Sequence, residues 1–127
     1  MKRIYLKNNY GIYSADIDVT KNEWKSMLQD NHIFNVSSLN MVIDWYNQPF
    51  HQATSKEVMI ANSITGRTPY NGIVIGLGKR IIKYLNRFEV IGTDKKSRTY
   101  FIIPFEGWYF NYKQSNDFVW KVRDELI

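Results

Sequence analysis

Lys79, Arg80, Lys83 and Arg87 recur at spacings of three and four residues, so a helix would gather them along one side. Cations gathered in this way neutralise phosphates, and such contacts supply most sequence-independent affinity for a duplex. Lys95, Lys96 and Arg98 follow in a short polar stretch and would extend the same surface. Gly72, Gly76 and Gly78 belong to the same segment. A glycine inside a helix costs about 1 kcal/mol against alanine, so each needs an offset. Close helix packing is one offset, and close approach of a ligand backbone is another. The plain alternative for the cations is a solvated helix face.

Base reading requires side chains with fixed donors and acceptors. Arg67, Tyr70 and Asn71 stand at or near the start of that segment. Arg suits the guanine edge and Asn the adenine edge in a major groove. Each also has an ordinary role: an exposed turn residue, a core aromatic and a local hydrogen bond at a helix start.

Bond-breaking chemistry has less support. Asp16, Asp18, Glu23 and Lys25 imitate the Asp…Glu-x-Lys set that holds Mg²⁺ and polarises water. Glu23, however, completes a capping box with Thr20, which accounts for it without catalysis. Tyr10-Gly11-Ile12-Tyr13 imitates half of a GIY-YIG motif, but no Tyr-Ile-Gly follows at the required distance. His32 and His51 are the only histidines, and neither has a metal partner in sequence. There is no phosphate loop, nucleophile elbow or dinucleotide fingerprint. The expectation is therefore no catalytic residue, no metal and no cofactor. Trp45, Trp108, Tyr109 and Trp120 could receive a displaced base, although aromatics serve cores first.

These residues need elements to position them. Residues 3–6 and 12–19 alternate as short strands around an Asn8-Asn9-Tyr10-Gly11 turn. Thr20 caps a helix that buries Trp24, Met27 and Leu28. Ser37 or Ser38 caps a second, burying Leu39, Val42, Ile43 and Tyr46, and Pro49 stops it. Thr54 and Glu57 form another capping box, and Gly66 ends the helix that follows. Thr68, with Pro69 behind it, opens a helix running to about Asn86. Residues 88–92 and 98–103 read as a hairpin, Trp108 to Tyr112 as a short strand, and Phe118 to Ile127 as a final helix. Two helices across a tight turn, then a hairpin, give the expected fold class: α+β, with a helix-turn-helix or winged-helix-like core.

Length and composition bound this reading. The 127 residues fit a single DNA-binding-like domain spanning 1–127. The formal net charge of +5 favours an acidic partner. No cysteine is present, which excludes disulfides and thiolate zinc sites and suits a reducing compartment. No signal-peptide pattern and no long apolar span occur, so a soluble cytoplasmic protein is expected.

Ala53-Thr54-Ser55-Lys56-Glu57, Tyr70-Asn71 and Gly78-Lys79-Arg80-Ile81 resemble the N-terminal recognition domain of modification-dependent restriction proteins. Ile103-Pro104-Phe105-Glu106-Gly107 and residues 118–126 add to the likeness, which covers roughly residues 20–127. In that family the domain precedes an HNH nuclease or an AAA-type GTPase motor, and specificity for 5-methylcytosine is typical. The resemblance implies a recognition module that works with a nuclease or motor partner. It does not imply cleavage, because HNH histidines, zinc cysteines and a nucleotide-binding loop are missing here.

The residues thus point to a double-stranded DNA-binding module, and the resemblance adds a preference for modified cytosine. The DNA-binding set is Arg67, Tyr70, Asn71, Gly76, Lys79, Arg80, Lys83, Arg87, Lys95, Lys96 and Arg98. The main alternative is a protein-binding module of a phage or host-defence system. A weaker third is a small metal-dependent nuclease.

Overall fold

The computed structural model describes residues 2–5, 7–9, 12–15, 17–63, 69–91, 100, 103–109 and 118–126. Strands β1 (Lys2–Tyr5), β2 (Lys7–Asn9) and β3 (Ile12–Ser14) lead into helices α1 (Lys21–Leu28) and α2 (Val36–Tyr46). A 3-10 turn at Pro49–His51, strand β4 (Gln52–Thr54) and helix α3 (Ser55–Ala61) follow. The long helix α4 (Tyr70–Leu85) precedes β5 (Phe88–Ile91), β6 (Phe105–Tyr109), β7 (Phe118–Val122) and a 3-10 turn at Asp124–Leu126. The class is α+β. No described helix is long and apolar enough to cross a membrane.

Five strands form an antiparallel sheet in the order β2-β3-β6-β7-β4. A separate two-stranded sheet pairs β1 with β5 in parallel, Ile4 opposite Val90. Between the elements lies an aromatic core. Trp45 of α2 stacks on Trp120 of β7 at 5.3 Å and meets Tyr70 of α4 edge-on at 4.8 Å. Phe105 of β6 completes the group, 5.6 Å from Trp45 and 5.5 Å from Trp120. The Trp45 indole N–H donates to the Ala53 carbonyl at 3.0 Å, so its polar edge is satisfied in the interior. Burying each such side chain contributes about 1.5–3 kcal/mol.

Local signals placed the helix starts. Thr20 and Glu23 exchange the two bonds of a capping box at 3.0 and 3.1 Å, as Thr54 and Glu57 do at 2.9 and 3.1 Å. For α2 the cap is Asn35, whose side-chain oxygen accepts from the Ser38 N–H at 3.0 Å, rather than Ser37 or Ser38. The earlier start accompanies a different inner face: Ser38, Met41, Val42 and Trp45 are buried, while Ile43 and Tyr46 are exposed. Helix α4 ends at Asn86, in the left-handed conformation (φ 49°) that a C-cap favours.

Several sequence expectations are corrected. The segment from Phe118 is strand β7, held between β6 and β4, rather than a helix. Strand β6 begins at Phe105, three residues before the strand expected from Trp108. The described partner of β5 is β1. In the expected second arm of a hairpin, Tyr100 has helical backbone, and the Ile103 N–H closes a turn onto the Tyr100 carbonyl at 3.2 Å. The expected pairing of residues 3–6 with 12–19 is replaced: β1 pairs with β5, and β3, which stops at Ser14, pairs with β2, where Asn8 and Asn9 were expected to turn. Helix α3 stops at Ala61 with Asn62 as its C-cap, short of the expected end at Gly66. Gly66, Thr68 and residues 92–99, 101–102 and 110–112 lie outside the described residues.

Candidate nucleic-acid interface

Helix α4 turns one side inward, with Tyr70, Val74, Leu77, Gly78 and Ile81 buried. At 100° per residue the opposite side carries Gly72, Gly76, Lys79 and Lys83. Gly72, Lys79 and Lys83 are exposed, and Gly76 is half-buried. The periodicity argument therefore places Lys79 and Lys83 correctly, whereas Arg87 lies beyond the end of the helix and Arg80 is half-buried at the edge of the face.

The three glycines of α4 have different surroundings. A Cβ on Gly72 would meet nothing within 4 Å. On Gly76 it would lie 3.1 Å from Arg80 Nη1. On Gly78 it would lie 2.7 Å from the Cβ of Tyr100, so this glycine serves internal packing. Lys79 places its ammonium 5.8 Å from the centre of the Tyr100 ring, within cation–π range.

Arg80 sits at the edge of the outer face and reaches across to the start of α2. Its Nε–H donates to the Ile33 carbonyl at 2.7 Å and Nη2 donates to Ser38 Oγ at 3.3 Å. Burial pulls its pKa below the ordinary arginine value, yet guanidinium stays charged at any physiological pH. Beside it lies a cleft of about 250 Å³, lined by Asn35, Ser37, Gly72, Ile73, Gly76 and Arg80. Sequence reasoning did not assign Asn35 or Ser37 to this cleft, because α2 approaches α4 only through the tertiary fold.

Arg87 is engaged differently. It follows the left-handed Asn86 and leaves the helical line. Its guanidinium clamps Glu23 with bonds of 2.5 and 2.8 Å and also reaches Asp18 Oδ1 at 3.3 Å. The Arg87 hydrogen bond, with the Thr20 N–H, holds the Glu23 carboxyl at a pKa of about 2 against an ordinary 4.5. The same contact raises the Arg87 pKa. Asp18 and Glu23, two members of the imagined metal set, are thus brought together around an arginine. Lys25 is exposed on α1, and Asp16 lies outside the described residues. No group of three or more metal-ligating side chains occurs among the described residues.

Of the base-reading candidates, Asn71 is exposed in the first turn of α4 and Tyr70 is only 3% exposed. Arg67, Lys95, Lys96 and Arg98 lie outside the described residues. Trp45 and Trp120 belong to the core, Trp108 is half-buried, and the Tyr109 side chain is outside the described set. His51 stacks on Tyr46 at 4.4 Å and its Nδ1 bonds the Tyr46 carbonyl at 2.6 Å. His32 is exposed, its backbone N–H donating to Asp30.

A second surface was missed from the sequence. Val36, Ile43 and Tyr46 form an exposed apolar row on the outer side of α2, and Phe50 follows in the next turn, 83% exposed. Phe50 and His51 both have φ of 57°, which is costly for side chains of their size. The comparisons add no relative: no protein-family model, no curated protein and no solved structure matches this chain.

Proposed function

We propose that this chain is a double-stranded DNA-binding module and that the outer face of α4 lies along the sugar-phosphate backbone. The observation that carries this reading is the pairing of Lys79 and Lys83 with Gly72 and Gly76 on one exposed side of one helix. Cations there meet phosphates, and the missing side chain at Gly72 lets a duplex come close, while Gly76 makes room for Arg80. In this reading α3 and α4 are the two helices of a helix-turn-helix. Base contact from the first turn of α4 then falls to Asn71, since Tyr70 belongs to the core. Arg87 is tied to Glu23 and Asp18, so phosphate contact rests on Lys79, Lys83 and the edge of Arg80. By its resemblance to modification-dependent restriction proteins, the module prefers modified cytosine and serves a nuclease or motor partner in the cytoplasm.

A gel-shift series with unmodified and 5-methylcytosine duplexes, each at low and physiological salt, tests the reading. Retention that falls as salt rises is expected, and stronger retention of the methylated duplex supports the modified-base preference. Failure to retain either duplex at low salt removes the proposal.

The exposed row Val36, Ile43, Tyr46 and Phe50 favours a second reading as a protein-binding module. Under that reading Phe50→Ser abolishes capture of a protein partner, and duplex binding is absent or insensitive to salt.

A further inference from the structure

We propose that the cleft between the start of α2 and the outer face of α4 seats one DNA backbone phosphate, with Arg80 Nη1 as its charged donor. This inference rests on the duplex-binding reading and narrows it to a defined subsite.

The central observation is the charge state of the cleft. Arg80 is half-buried, and its two hydrogen-bond partners, a carbonyl and a hydroxyl, are both neutral. No carboxylate pairs with it among the described residues. Arg87, by contrast, carries two carboxylates. A half-buried cation without a counter-ion is costly to keep. The remaining lining residues Asn35, Ser37, Gly72, Ile73 and Gly76 are all neutral, so the cleft has net positive charge.

Geometry agrees with this charge. The Nε and Nη2 bonds fix the guanidinium plane before any ligand arrives, which reduces the entropy lost on binding. Nη1 lies over Gly76, on the floor of the cleft. Gly72 continues that floor, and nothing in the fold occupies the space a side chain there would fill. At about 250 Å³ the cleft is smaller than the usual ligand pocket of roughly 300–1,000 Å³, so it suits a phosphodiester group rather than an extruded nucleotide. Lys79 and Lys83 share the outer face, and Gly76 to Lys83 spans about 10 Å of helix, so a strand leaving the cleft would pass them.

Arg80 itself is a poor probe, since its bonds tie α4 to α2. Gly72→Leu is better: it fills the cleft from an open position while adding a good helix former. Fluorescence anisotropy with a short labelled duplex, across a salt series, would compare the wild type with Gly72→Leu and Lys79→Ala. The melting temperature of Gly72→Leu should not fall below that of the wild type. Its affinity should drop about tenfold, the size of one lost charged contact. Its salt slope should shrink by about 0.9, the value for one phosphate. If Gly72→Leu binds like the wild type while Lys79→Ala weakens binding, the phosphate subsite is wrong and the module reading survives. If the wild type binds no duplex, both fall. Equal binding of poly-glutamate, blocked equally by Gly72→Leu, would overturn the phosphate assignment in favour of an acidic protein.

Discussion

Gly72 and Gly78 stand less than two turns apart in α4, yet alanine at these two positions should act in opposite directions. At Gly72 nothing opposes a methyl group, so alanine should stabilise the fold by up to about 1 kcal/mol. At Gly78 the new Cβ would lie 2.7 Å from the Tyr100 Cβ, and relieving that contact should cost about 1–3 kcal/mol. Urea midpoints of the two variants check this, and the same sign at both positions would contradict it. Glu23 supplies a pH test. Its folded pKa of about 2 is depressed below the ordinary 4.5, so its contribution is complete above 4.5 and is lost as pH falls towards 2. Glu23→Gln keeps a capping acceptor but removes the charge. Denaturant midpoints across that window should therefore fall less steeply in the variant. Equal acid sensitivity would mean that the Arg87 contact does not stabilise the fold. Neither Arg87 nor Arg80 could be paired from sequence, since their partners lie 64 and 47 residues away.

At the scale of elements, what was legible was local. The capping boxes at Thr20 and Thr54 involve atoms three residues apart, and both formed as read. Spacing alone placed Lys79 and Lys83 on the outer face of α4 but also put Arg87 there, which the left-handed Asn86 turns away. Strand β7 did not, because Phe118, Val119, Val122 and Leu126 fit a helical stripe, and only pairing with β4 and β6 settles the matter. The inner face of α2 was read in part: of Leu39, Val42, Ile43 and Tyr46 only Val42 is fully buried, and Ser38, Met41 and Trp45 join it. A buried serine is hard to foresee; here its hydroxyl bonds the cap Asn35 and receives Arg80. Because β7 carries Trp120 against Trp45 and Phe105, Trp120→Ala should cost about 3–5 kcal/mol in a denaturation experiment. A loss under about 1 kcal/mol would mean that this aromatic group does not anchor the sheet to α2.

Over the whole molecule, β1 and β5 pair although more than eighty residues separate them, and this contact could not be read from a window of sequence. Most of the second arm expected for a hairpin after α4 lies outside the described residues, while the α+β class held. Around this frame some charges hold the fold and others face outward. Arg87 ties the α4 exit to α1, and Arg80 ties α4 to the start of α2. Lys79 and Lys83 remain on the outer face, consistent with an overall charge of +5. The measurement that bears most directly on duplex binding is the salt dependence of affinity for the wild type and for Lys79→Ala/Lys83→Ala. Two phosphate contacts predict a steeper wild-type slope, by about 1.8, with weaker binding by the double variant at every salt concentration. Equal slopes and equal affinities in a folded double variant would contradict the account.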